Sequence, residues 1–280
     1  MHKVDRATRI AFQGECGAFS QIAARRLLGD GVETVACPSF ESLFAAIDER
    51  RAECILAPLE NTLAGPVLRC YDLLYHSQLR MTGEVVLRIG HCVIGCPGAS
   101  LDALRRIQSH PVALAQCERF FASHPKIARA VAEDTAGSVR QIMESGDPSV
   151  GAIAGEEAAR EYGAAVLASG IEDDPQNFTR FALLQPASEA EEVEDANATT
   201  LVLTVANQPG ALFRSLEPFA QNQCDLMSLV SRPLAGTPWH YRFFLEVAAA
   251  ASEPRMKAAL AALEPRTVEL RLFGSYRSGK

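Results

Sequence analysis

The feature of this chain that most constrains its fold is a regular alternation of short apolar runs and amphipathic helical patterns between about residue 8 and residue 184. Arg9–Phe12 reads as a strand, and the next segment, Ala18–Leu28, puts Phe19, Ile22 and Leu27 on one helical face. The same succession of strand and helix recurs along the region. Alternating strands and helices favour parallel sheets with helices packed on their faces. The pattern therefore predicts an α/β region.

Three stretches of this region need separate predictions. Pro58–Pro66, which follows the strand Cys54–Ala57, is rich in turn-forming residues and predicts a loop. Met81–Gly95 is strand-like and predicts either one long strand or two strands. Pro111–Phe121 has a helical pattern and predicts one helix.

The composition changes within Gln185–Ala198. Side chains of like charge crowd together there and repel one another, so the stretch predicts a solvated linker. An acidic segment that binds a partner is the alternative interpretation. The crowded residues are Glu189, Glu191, Glu192, Glu194 and Asp195.

After the linker the pattern becomes β-α-β-β-α-β within about 75 residues, which is the ferredoxin-like arrangement. Leu201, Leu203 and Val205 alternate along the first strand, and Gly210–Gln221 carries an apolar helical stripe. A lone four-stranded sheet with helices on one side leaves a face and an edge to be covered. We therefore predict a homodimer or homotetramer formed through this module.

Composition and charge disfavour several classes of protein. The 280 residues include 34 acidic and 27 basic side chains, and the resulting net charge of −7 disfavours a nucleic-acid partner. No stretch approaches the roughly 18 apolar residues of a membrane span, so no membrane association is expected. Met1–Arg6 contains no apolar signal core, and we predict a cytoplasmic location.

The eight cysteines are scattered through apolar runs, which favours buried free thiols over a disulfide framework. His91, Cys92 and Cys96 are the nearest approach to a metal site. Their spacing is not that of a Cys-x-x-Cys pair, and a second pair of ligands is missing. No metal site is therefore predicted.

The sequence has no glycine-rich phosphate loop and no nucleophile elbow. Four polar loops instead stand at predicted strand ends, where α/β sheets bind their ligands. Each loop alone is compatible with ordinary turn chemistry, but together they favour a cleft for a small polar anion. The loops are Gln13–Ser20, Pro58–Gly65, Ser109–Pro111 with Gln116–Cys117, and Asn177–Phe181.

In this order, the loop residues resemble the prephenate dehydratase family, and the resemblance extends over almost the whole chain. The combination of Thr179–Phe181 with the loop Glu60–Thr62 is specific for that family. Asn207–Leu212 and Ser231–Pro233 resemble an ACT module, which binds phenylalanine in these enzymes. The matching N-terminal segments are Gly14–Ser20, Pro58–Thr62, Gly90–Cys92, Ser109–Pro111, Gln116–Cys117, Asp134–Gly137 and Asn177–Phe181.

The resemblance implies a two-lobed α/β catalytic region similar to the type II periplasmic binding proteins, followed by a C-terminal ferredoxin-like (βαββαβ) ACT domain. The catalytic domain would cover residues 7–185, with one lobe formed by about 7–88 and 177–185 and the other by 89–176. Residues 186–198 would form the acidic linker, and residues 199–277 the ACT domain.

The family converts prephenate to phenylpyruvate in phenylalanine biosynthesis, so the resemblance implies a carbon–oxygen lyase. Loss of carbon dioxide and hydroxide leaves an aromatic ring, which drives the reaction, so no cofactor is expected. The family pattern gives Thr179 an essential role, and its hydroxyl can donate a hydrogen bond to the leaving oxygen. The pattern also brings the amides of Asn61 and Gln116 into the site. Neutral donors suit the reaction because the departing carboxylate must not be held too strongly.

Five further residues are predicted to bind the substrate. Ser20 and the backbone N–H groups around it can hold the pyruvyl carboxylate. Arg180 either binds that carboxylate in a bidentate manner or faces a structural acid. Glu60 either relays a proton or caps its loop, because a carboxylate near a dianion would need a raised pKa. Thr62 adds a hydroxyl to the same loop, and Phe181 packs the wall of the cleft.

The ACT resemblance implies an allosteric phenylalanine site. We predict that phenylalanine shifts the catalytic lobes toward a closed, less active state. The family usually has Glu before Ser-Arg-Pro, whereas this chain has Val230, which leaves the strength and sign of the effect open. The residues implied to form the site are Asn207, Gly210, Ala211, Leu212, Ser231 and Arg232.

Two other functions are alternatives at this point. Arogenate dehydratase performs the same chemistry on the aminated substrate, and no residue of the sequence separates the two. A non-catalytic amino-acid sensor would combine two binding lobes with an ACT module and would not need the Thr179 hydroxyl. Binding without turnover would identify such a sensor.

Overall fold

The computed structural model of the chain describes residues 8–279 and has a mixed α/β fold. Met1–Arg6, on which the predicted cytoplasmic location rests, lies outside the described residues. Short 3₁₀ helices cover Leu101–Ala103 and Glu264–Arg266. The strands are β1 (Arg9–Gln13), β2 (Glu33–Cys37), β3 (Cys54–Asn61), β4 (Gly65–Pro66), β5 (Leu79–Arg88), β6 (Cys92–Gly95), β7 (Arg106–Ser109), β8 (Ala128–Val131), β9 (Val150–Ala154), β10 (Ala165–Ser169), β11 (Phe178–Pro186), β12 (Ala198–Thr204), β13 (Leu226–Pro233), β14 (Tyr241–Val247) and β15 (Glu269–Tyr276). The helices are α1 (Phe19–Leu28), α2 (Phe40–Asp48), α3 (Leu68–His76), α4 (Pro111–Ala115), α5 (Glu118–Ser123), α6 (Thr135–Ser145), α7 (Glu156–Tyr162), α8 (Ala211–Gln221) and α9 (Pro254–Leu263).

The first sheet has the strand order β2-β1-β3-β11-β5, with β4 beside β3. Strand β1 runs parallel to both β2 and β3, as the alternating pattern predicted. Its apolar residues Ile10, Ala11 and Phe12 are completely buried. A strand flanked on both sides and covered on both faces reads in sequence as a continuous apolar run, which explains why β1 was predictable.

The second sheet has the order β10-β6-β9-β7-β8. Strand β7 runs parallel to β8 and β9, whereas β6 runs antiparallel to β9 and β10. The prediction of parallel sheets is therefore wrong for β6 and β10. The strand-like stretch Met81–Gly95 is divided between β5 and β6, so β6 follows another strand directly. Strand β5 belongs to the first sheet, so β6 enters the second sheet without the strand–helix–strand connection that joins parallel neighbours.

The C-terminal sheet has the order β13-β14-β12-β15, and each strand runs antiparallel to its neighbours. Together with α8 and α9, these strands give the predicted β-α-β-β-α-β order. Its core lies between the sheet and the two helices and contains Leu201, Leu203, Phe219, Leu245, Met256 and Leu263.

The chain divides into two compact units. One contains the described residues up to Gly65 together with Val86–Phe181, and the other contains Pro66–Val85 together with the described residues from Ala182 onward. Helix α3 and the first part of β5 thus belong to the unit that holds the C-terminal module. The sequence-based boundaries at 185 and 199 divide the chain differently and stay a prediction.

Within residues 8–279, no helix is both long enough and apolar enough to cross a membrane. The same residues contain no group of three or more histidine, cysteine or acidic side chains that could hold a metal ion. The eight cysteines are free thiols, and all but Cys16 are buried. Burial raises the pKa of Cys54 and of Cys117 to about 12, so these thiols are protonated at neutral pH.

Candidate active site

The hydroxyl of Thr62 links the end of β3 to the start of β11 through hydrogen bonds. Its Oγ1 donates to the carbonyl oxygen of Gln176 at 2.8 Å and accepts from the backbone N–H of Phe178 at 2.9 Å. The Thr62 N–H in turn donates to the Phe178 carbonyl oxygen at 2.9 Å. The predicted loop Pro58–Pro66 is therefore strand as far as Asn61, because the chain up to that point lies beside its neighbours in the first sheet.

The side chain of Asn61 closes the turn that follows β3. Its Oδ1 accepts hydrogen bonds from the backbone N–H groups of Leu63 at 3.0 Å and Ala64 at 2.8 Å. Asparagine favours this kind of turn because its side-chain oxygen can bind the backbone two residues further on. Since a backbone N–H can only donate, these two bonds identify which end of the amide is oxygen.

The nitrogen end of the Asn61 amide points to the start of β11. Nδ2 donates to Asn177 Oδ1 at 2.7 Å, to the Phe178 carbonyl oxygen at 3.1 Å and to Thr179 Oγ1 at 3.0 Å. Asn177 is completely buried, whereas Thr179 is partly exposed. The Thr179 oxygen therefore accepts a hydrogen bond from a neutral amide, and its own proton remains to be donated.

Gln116 lies at a break between two helices where the sequence predicted one. Helix α4 ends at Ala115 and α5 begins at Glu118. The Asp173 carboxylate accepts the N–H groups of Glu118 at 2.7 Å and Arg119 at 2.9 Å, and the Asp173 N–H donates to the Gln116 carbonyl oxygen at 2.7 Å. A cap supplied from a distant part of the chain thus starts a second helix and turns Gln116 out of the first.

The Gln116 side chain extends the hydrogen bonding of Asn61 and Asn177. Its Oε1 accepts from Asn177 Nδ2 at 3.0 Å and lies 2.9 Å from His91 Nε2. We call the five linked side chains the amide chain: His91, Gln116, Asn177, Asn61 and Thr179.

His91 is 2% exposed and lies just before β6. Burial lowers the pKa of His91, because the charged imidazolium is disfavoured away from water. The His91 N–H donates to Glu172 Oε2 at 2.9 Å, and the other oxygen of Glu172 pairs with Arg88 at 2.8 Å. The ring of Phe19 meets the imidazole edge-on, with 5.9 Å between the ring centroids.

That contact brings the first turn of α1 close to the amide chain. Ser20 lies in this turn and is 8% exposed. No described side chain caps the N-terminus of α1, where Ala18 is the N-cap residue. The free N–H groups of the first turn are a suitable binding place for a carboxylate.

The loop before α1 packs tightly against the helices of the second sheet. Gly17 has φ +82°, and a Cβ at this position would lie 2.7 Å from the Cα of Ala158. The adjacent Glu15 pairs with Arg140 of α6 at 3.2 Å. Glycine is therefore required at position 17 both by the backbone conformation and by the close approach of α7.

Arg180 and Phe181 continue β11 into the interior of the sheet. Arg180 is 3% exposed, and its Nε lies 3.5 Å from Glu60 Oε2. Of the two interpretations of Arg180, the observed contact is the one with an acid. Phe181 is 2% exposed, so it packs inside the sheet.

The structure thus brings together the three residues predicted to be catalytic, Thr179, Asn61 and Gln116. Sequence reasoning did not assign a role to Asn177 or His91, although both lie in segments that carried the family resemblance. Their only sequence signal is a polar residue next to an apolar strand, and that pattern does not say which partner the side chain meets.

The residues implied to bind phenylalanine lie in the C-terminal module. Gly210, with φ +76°, is the N-cap residue of α8, and the Ala211 N–H donates to the Gln208 carbonyl oxygen at 3.1 Å. Arg232, on β13, is paired with Asp72 of α3, with Nε 2.8 Å from Oδ1. The other implied residues are Asn207 before α8, Leu212 in its first turn and Ser231 on β13.

Known proteins resemble this chain over nearly its full length. An arogenate dehydratase/prephenate dehydratase of Arabidopsis thaliana is 35% identical, covering 96% of this chain and 72% of the relative. A bifunctional chorismate mutase/prephenate dehydratase of Neisseria gonorrhoeae is 33% identical, covering 98% and 75%.

Among solved structures, prephenate dehydratase from Arthrobacter aurescens in complex with L-Phe has a TM-score of 0.88 and 29% identity, covering 97% of this chain and 90% of that one. A protein described as a quorum quenching acylase, GqqA, has a TM-score of 0.89 and 33% identity, covering 96% and 98%. The sequence model of the prephenate dehydratase family matches residues 10–189. This match spans more than half of the chain and includes every member of the amide chain, and the protein belongs to the prephenate dehydratase family.

Proposed function

We propose that the chain converts prephenate to phenylpyruvate in phenylalanine biosynthesis, without a cofactor, and that Thr179 acts at the leaving hydroxyl. The observation that carries this assignment is the hydrogen bond from Asn61 Nδ2 to Thr179 Oγ1 at 3.0 Å. Because the threonine oxygen already accepts a hydrogen bond, its O–H is available as a donor.

The reaction breaks two bonds of the substrate. The ring carboxylate leaves as carbon dioxide, and the electrons of its C–C bond enter the ring as the C–O bond of the hydroxyl breaks. The departing hydroxide takes one proton and becomes water. A threonine is too weak an acid to ionise fully, so Thr179 holds the leaving oxygen by a hydrogen bond. The proton that converts the departing hydroxide to water is taken up from the solvent, and one proton is consumed in each turnover.

Neutral donors suit the charge changes of this reaction. The ring carboxylate loses its charge in the transition state, and a cation next to it would stabilise the ground state more strongly. The amide chain offers dipoles at fixed positions instead, which stabilise the leaving oxygen as negative charge develops there.

The pyruvyl carboxylate, which keeps its charge, needs a different site. In our proposal it binds at the uncapped first turn of α1 beside Ser20. Arg180 and Glu60 pair with each other. We therefore propose that they shape the wall of the cleft and that their charges balance there. The Thr62 hydroxyl holds the start of β11 both as a hydrogen-bond donor and as an acceptor. Phe181 packs behind the wall of the cleft, inside the sheet.

The C-terminal module is, in our proposal, an ACT domain that binds L-phenylalanine and carries the contacts of a homodimer or homotetramer. The likeness to a prephenate dehydratase whose structure is in complex with L-Phe supports the binding of phenylalanine. The predicted residues Asn207–Leu212 and Ser231 form the binding place, and Arg232, held by Asp72, connects it to α3.

The substitutions Thr179→Ala and Thr179→Ser test the catalytic role. Phenylpyruvate formation from prephenate is followed by ultraviolet absorbance. We expect Thr179→Ala to lower kcat by about 10²–10³, the loss typical of a missing transition-state donor, and Thr179→Ser to keep much of the activity. Thr199→Ala removes another hydroxyl, one that donates to the Ala249 carbonyl oxygen in the C-terminal module, and should leave kcat unchanged. A near-normal kcat for Thr179→Ala would overturn the assignment.

Arogenate is the second candidate substrate, because relatives that are 35% identical carry arogenate dehydratase in their names. Parallel assays with prephenate and arogenate separate the two enzymes by kcat/KM. An amino-acid sensor would bind phenylalanine and turn over neither compound.

The likeness to a quorum quenching acylase adds a deacylation assay to this set. Acyl transfer by Thr179 would need a base within hydrogen-bond reach. His91 Nε2 is bonded to Gln116 instead, and this observation favours dehydration.

Adding L-phenylalanine to the prephenate assay tests the regulatory proposal. A coupling of about 1–3 kcal/mol would change the apparent substrate affinity by roughly 5–150-fold. A flat response, together with no binding heat, would show that the module has no effector function.

A further inference from the structure

We infer that His91 is a positioning residue for the dehydration, which acts through Gln116 and Asn177 to hold in place the hydrogen bonds that end on Thr179. The inference rests on the proposed function. His91 does not touch the reacting atoms in this assignment; it holds the far end of the amide chain.

The direction of the hydrogen bonds in the amide chain is fixed at Asn61. Two backbone N–H groups donate to Asn61 Oδ1, so Nδ2 faces Asn177 and Thr179. The atom of Asn177 that receives this bond must be Oδ1, and therefore its Nδ2 faces Gln116. The receiving atom of Gln116 must in turn be its oxygen.

This order determines the proton on His91. Gln116 Oε1 can only accept, and His91 Nε2 lies 2.9 Å from it, so the imidazole must carry its proton on Nε2. The amide nitrogen of Gln116 then remains for a ligand. If the histidine carried its proton on Nδ1 instead, two acceptors would face each other, and Gln116 would gain by turning its amide around.

A turned Gln116 would reverse the rest of the chain. Its nitrogen would face the nitrogen of Asn177, so Asn177 would have to turn as well and present its own nitrogen to Asn61 Nδ2. Asn61 cannot follow, because its oxygen is held by the turn after β3. A proton on His91 Nε2 therefore supports the one arrangement in which every hydrogen bond of the amide chain joins a donor to an acceptor.

The surroundings of His91 favour a neutral ring. The side chain is 2% exposed, and its Nδ1 has no hydrogen-bond partner among residues 8–279. A second proton on Nδ1 would be buried without an acceptor. The charges nearby are Glu172, bonded to the His91 N–H, and Arg88, paired with Glu172. The five side chains of the amide chain are thus all neutral, which suits a substrate carboxylate that loses its charge as it leaves.

The first test compares two substitutions of His91. His91→Phe keeps a ring of similar size but has no donor, and we expect kcat to fall about tenfold or more with little change in KM, because one positioned hydrogen bond is lost. His91→Gln has an amide N–H close to the position of Nε2 and should restore most of kcat. His124→Phe is the matched control, since His124 also contacts an aromatic ring and lies within hydrogen-bond distance of a carbonyl oxygen in the same unit. It should keep the kcat of the unaltered protein.

A double-mutant cycle separates positioning from general destabilisation. If His91 acts through Gln116, His91→Phe should have almost no further effect on kcat in a Gln116→Leu background. An equal fold-loss in both backgrounds would overturn the inference. So would a His91→Phe protein that loses thermal stability but retains kcat.

A spectroscopic measurement keeps the inference testable if His91→Phe does not fold, and separates its failure from that of the proposed reaction. The full chain labelled with ¹⁵N-histidine gives the tautomer of each imidazole from its nitrogen shifts, and the His91→Gln spectrum identifies the His91 signals. We expect a neutral ring protonated on Nε2 at neutral pH. A ring protonated on Nδ1 would overturn the inference whatever the substrate. If the ring is protonated on Nε2 and the protein still does not convert prephenate, the result would count against the proposed function and not against the inference.

Discussion

Replacing Asn61 with aspartate exchanges one nitrogen for an oxygen and leaves the shape of the side chain unchanged. The oxygen that closes the turn after β3 stays available to Leu63 and Ala64. The effect of the substitution is therefore confined to the other end of the side chain. There, the oxygen that replaces Nδ2 is an acceptor and faces three other acceptors. These are Asn177 Oδ1 at 2.7 Å, the Phe178 carbonyl oxygen at 3.1 Å and Thr179 Oγ1 at 3.0 Å.

Two of these acceptors, Thr179 and the Phe178 carbonyl oxygen, give the expected size of the effect. Thr179 can rotate its O–H toward the new carboxylate, which removes this proton from the leaving hydroxyl of the substrate. Loss of one such transition-state donor costs about 2.7–4 kcal/mol, or 10²–10³ in kcat. The Phe178 carbonyl oxygen cannot turn and loses one of its two donors, which adds up to about 1–3 kcal/mol of lost stability. KM should change less than kcat, because the substrate carboxylate binds elsewhere in our proposal.

The pH dependence of Asn61→Asp provides a sharper signature. A carboxyl group among three acceptors has its pKa raised, since the charged form is disfavoured. When protonated, it can donate again to Thr179 Oγ1. The activity of the variant relative to the unaltered protein should therefore rise as the pH falls, in steady-state assays of phenylpyruvate formation from pH 8 to pH 5. A variant with normal kcat at pH 8 would refute the argument, as would a loss of kcat that does not depend on pH.

Two further predictions concern stability. Burial lowers the pKa of His91 in the folded protein. As the pH falls below about 6.5, the imidazole therefore takes up a proton in the unfolded state before it does so in the folded state. The contribution of His91 to the free energy of unfolding is present above that pH and is lost below it. Urea unfolding from pH 7.5 to pH 5 should show a smaller loss for His91→Gln than for the unaltered protein, and equal losses would contradict the buried neutral imidazole. Gly17→Ala forces a side chain into a left-handed conformation and brings its Cβ within 2.7 Å of the Ala158 Cα, which should cost about 2–5 kcal/mol. Unchanged urea unfolding of that variant would mean that the loop can move away from α7.

The elements that the sequence predicted best are those whose signal is local. Strand β9 and helix α7 belong to the recurring succession of strand and helix that the sequence predicts up to about residue 184. Strand β9 is fully buried and therefore apolar throughout. A short run with these properties between turn-forming residues can be recognised without any knowledge of its neighbours.

The errors have long-range causes. The break at Gln116 comes from Asp173, which caps α5 from a position 55 residues away from Glu118. The extension of β3 to Asn61 comes from the strands that flank it, and β11 is more than a hundred residues further along the chain. No local pattern in Pro111–Phe121 or in Pro58–Pro66 contains this information.

The same distinction applies to the candidate site. Thr179, Asn61 and Gln116 were predicted because the family resemblance assigns them, and the structure joins them through hydrogen bonds that span 118 and 61 positions of the sequence. Asn177 and His91 had no assigned role, since the importance of a buried amide or imidazole depends on its partners.

In our proposal, the bonds of the substrate break beside neutral side chains, and this limits where the protein can distinguish one substrate from another. The charged side chains around the amide chain are paired, Glu172 with Arg88 and Glu60 with Arg180. Prephenate and arogenate differ at the side chain, where one has a carbonyl and the other an ammonium group, and not at the ring where bonds break. In our proposal, discrimination between them therefore arises near the first turn of α1, because the amide chain would face the same ring, the same hydroxyl and the same departing carboxylate in both compounds.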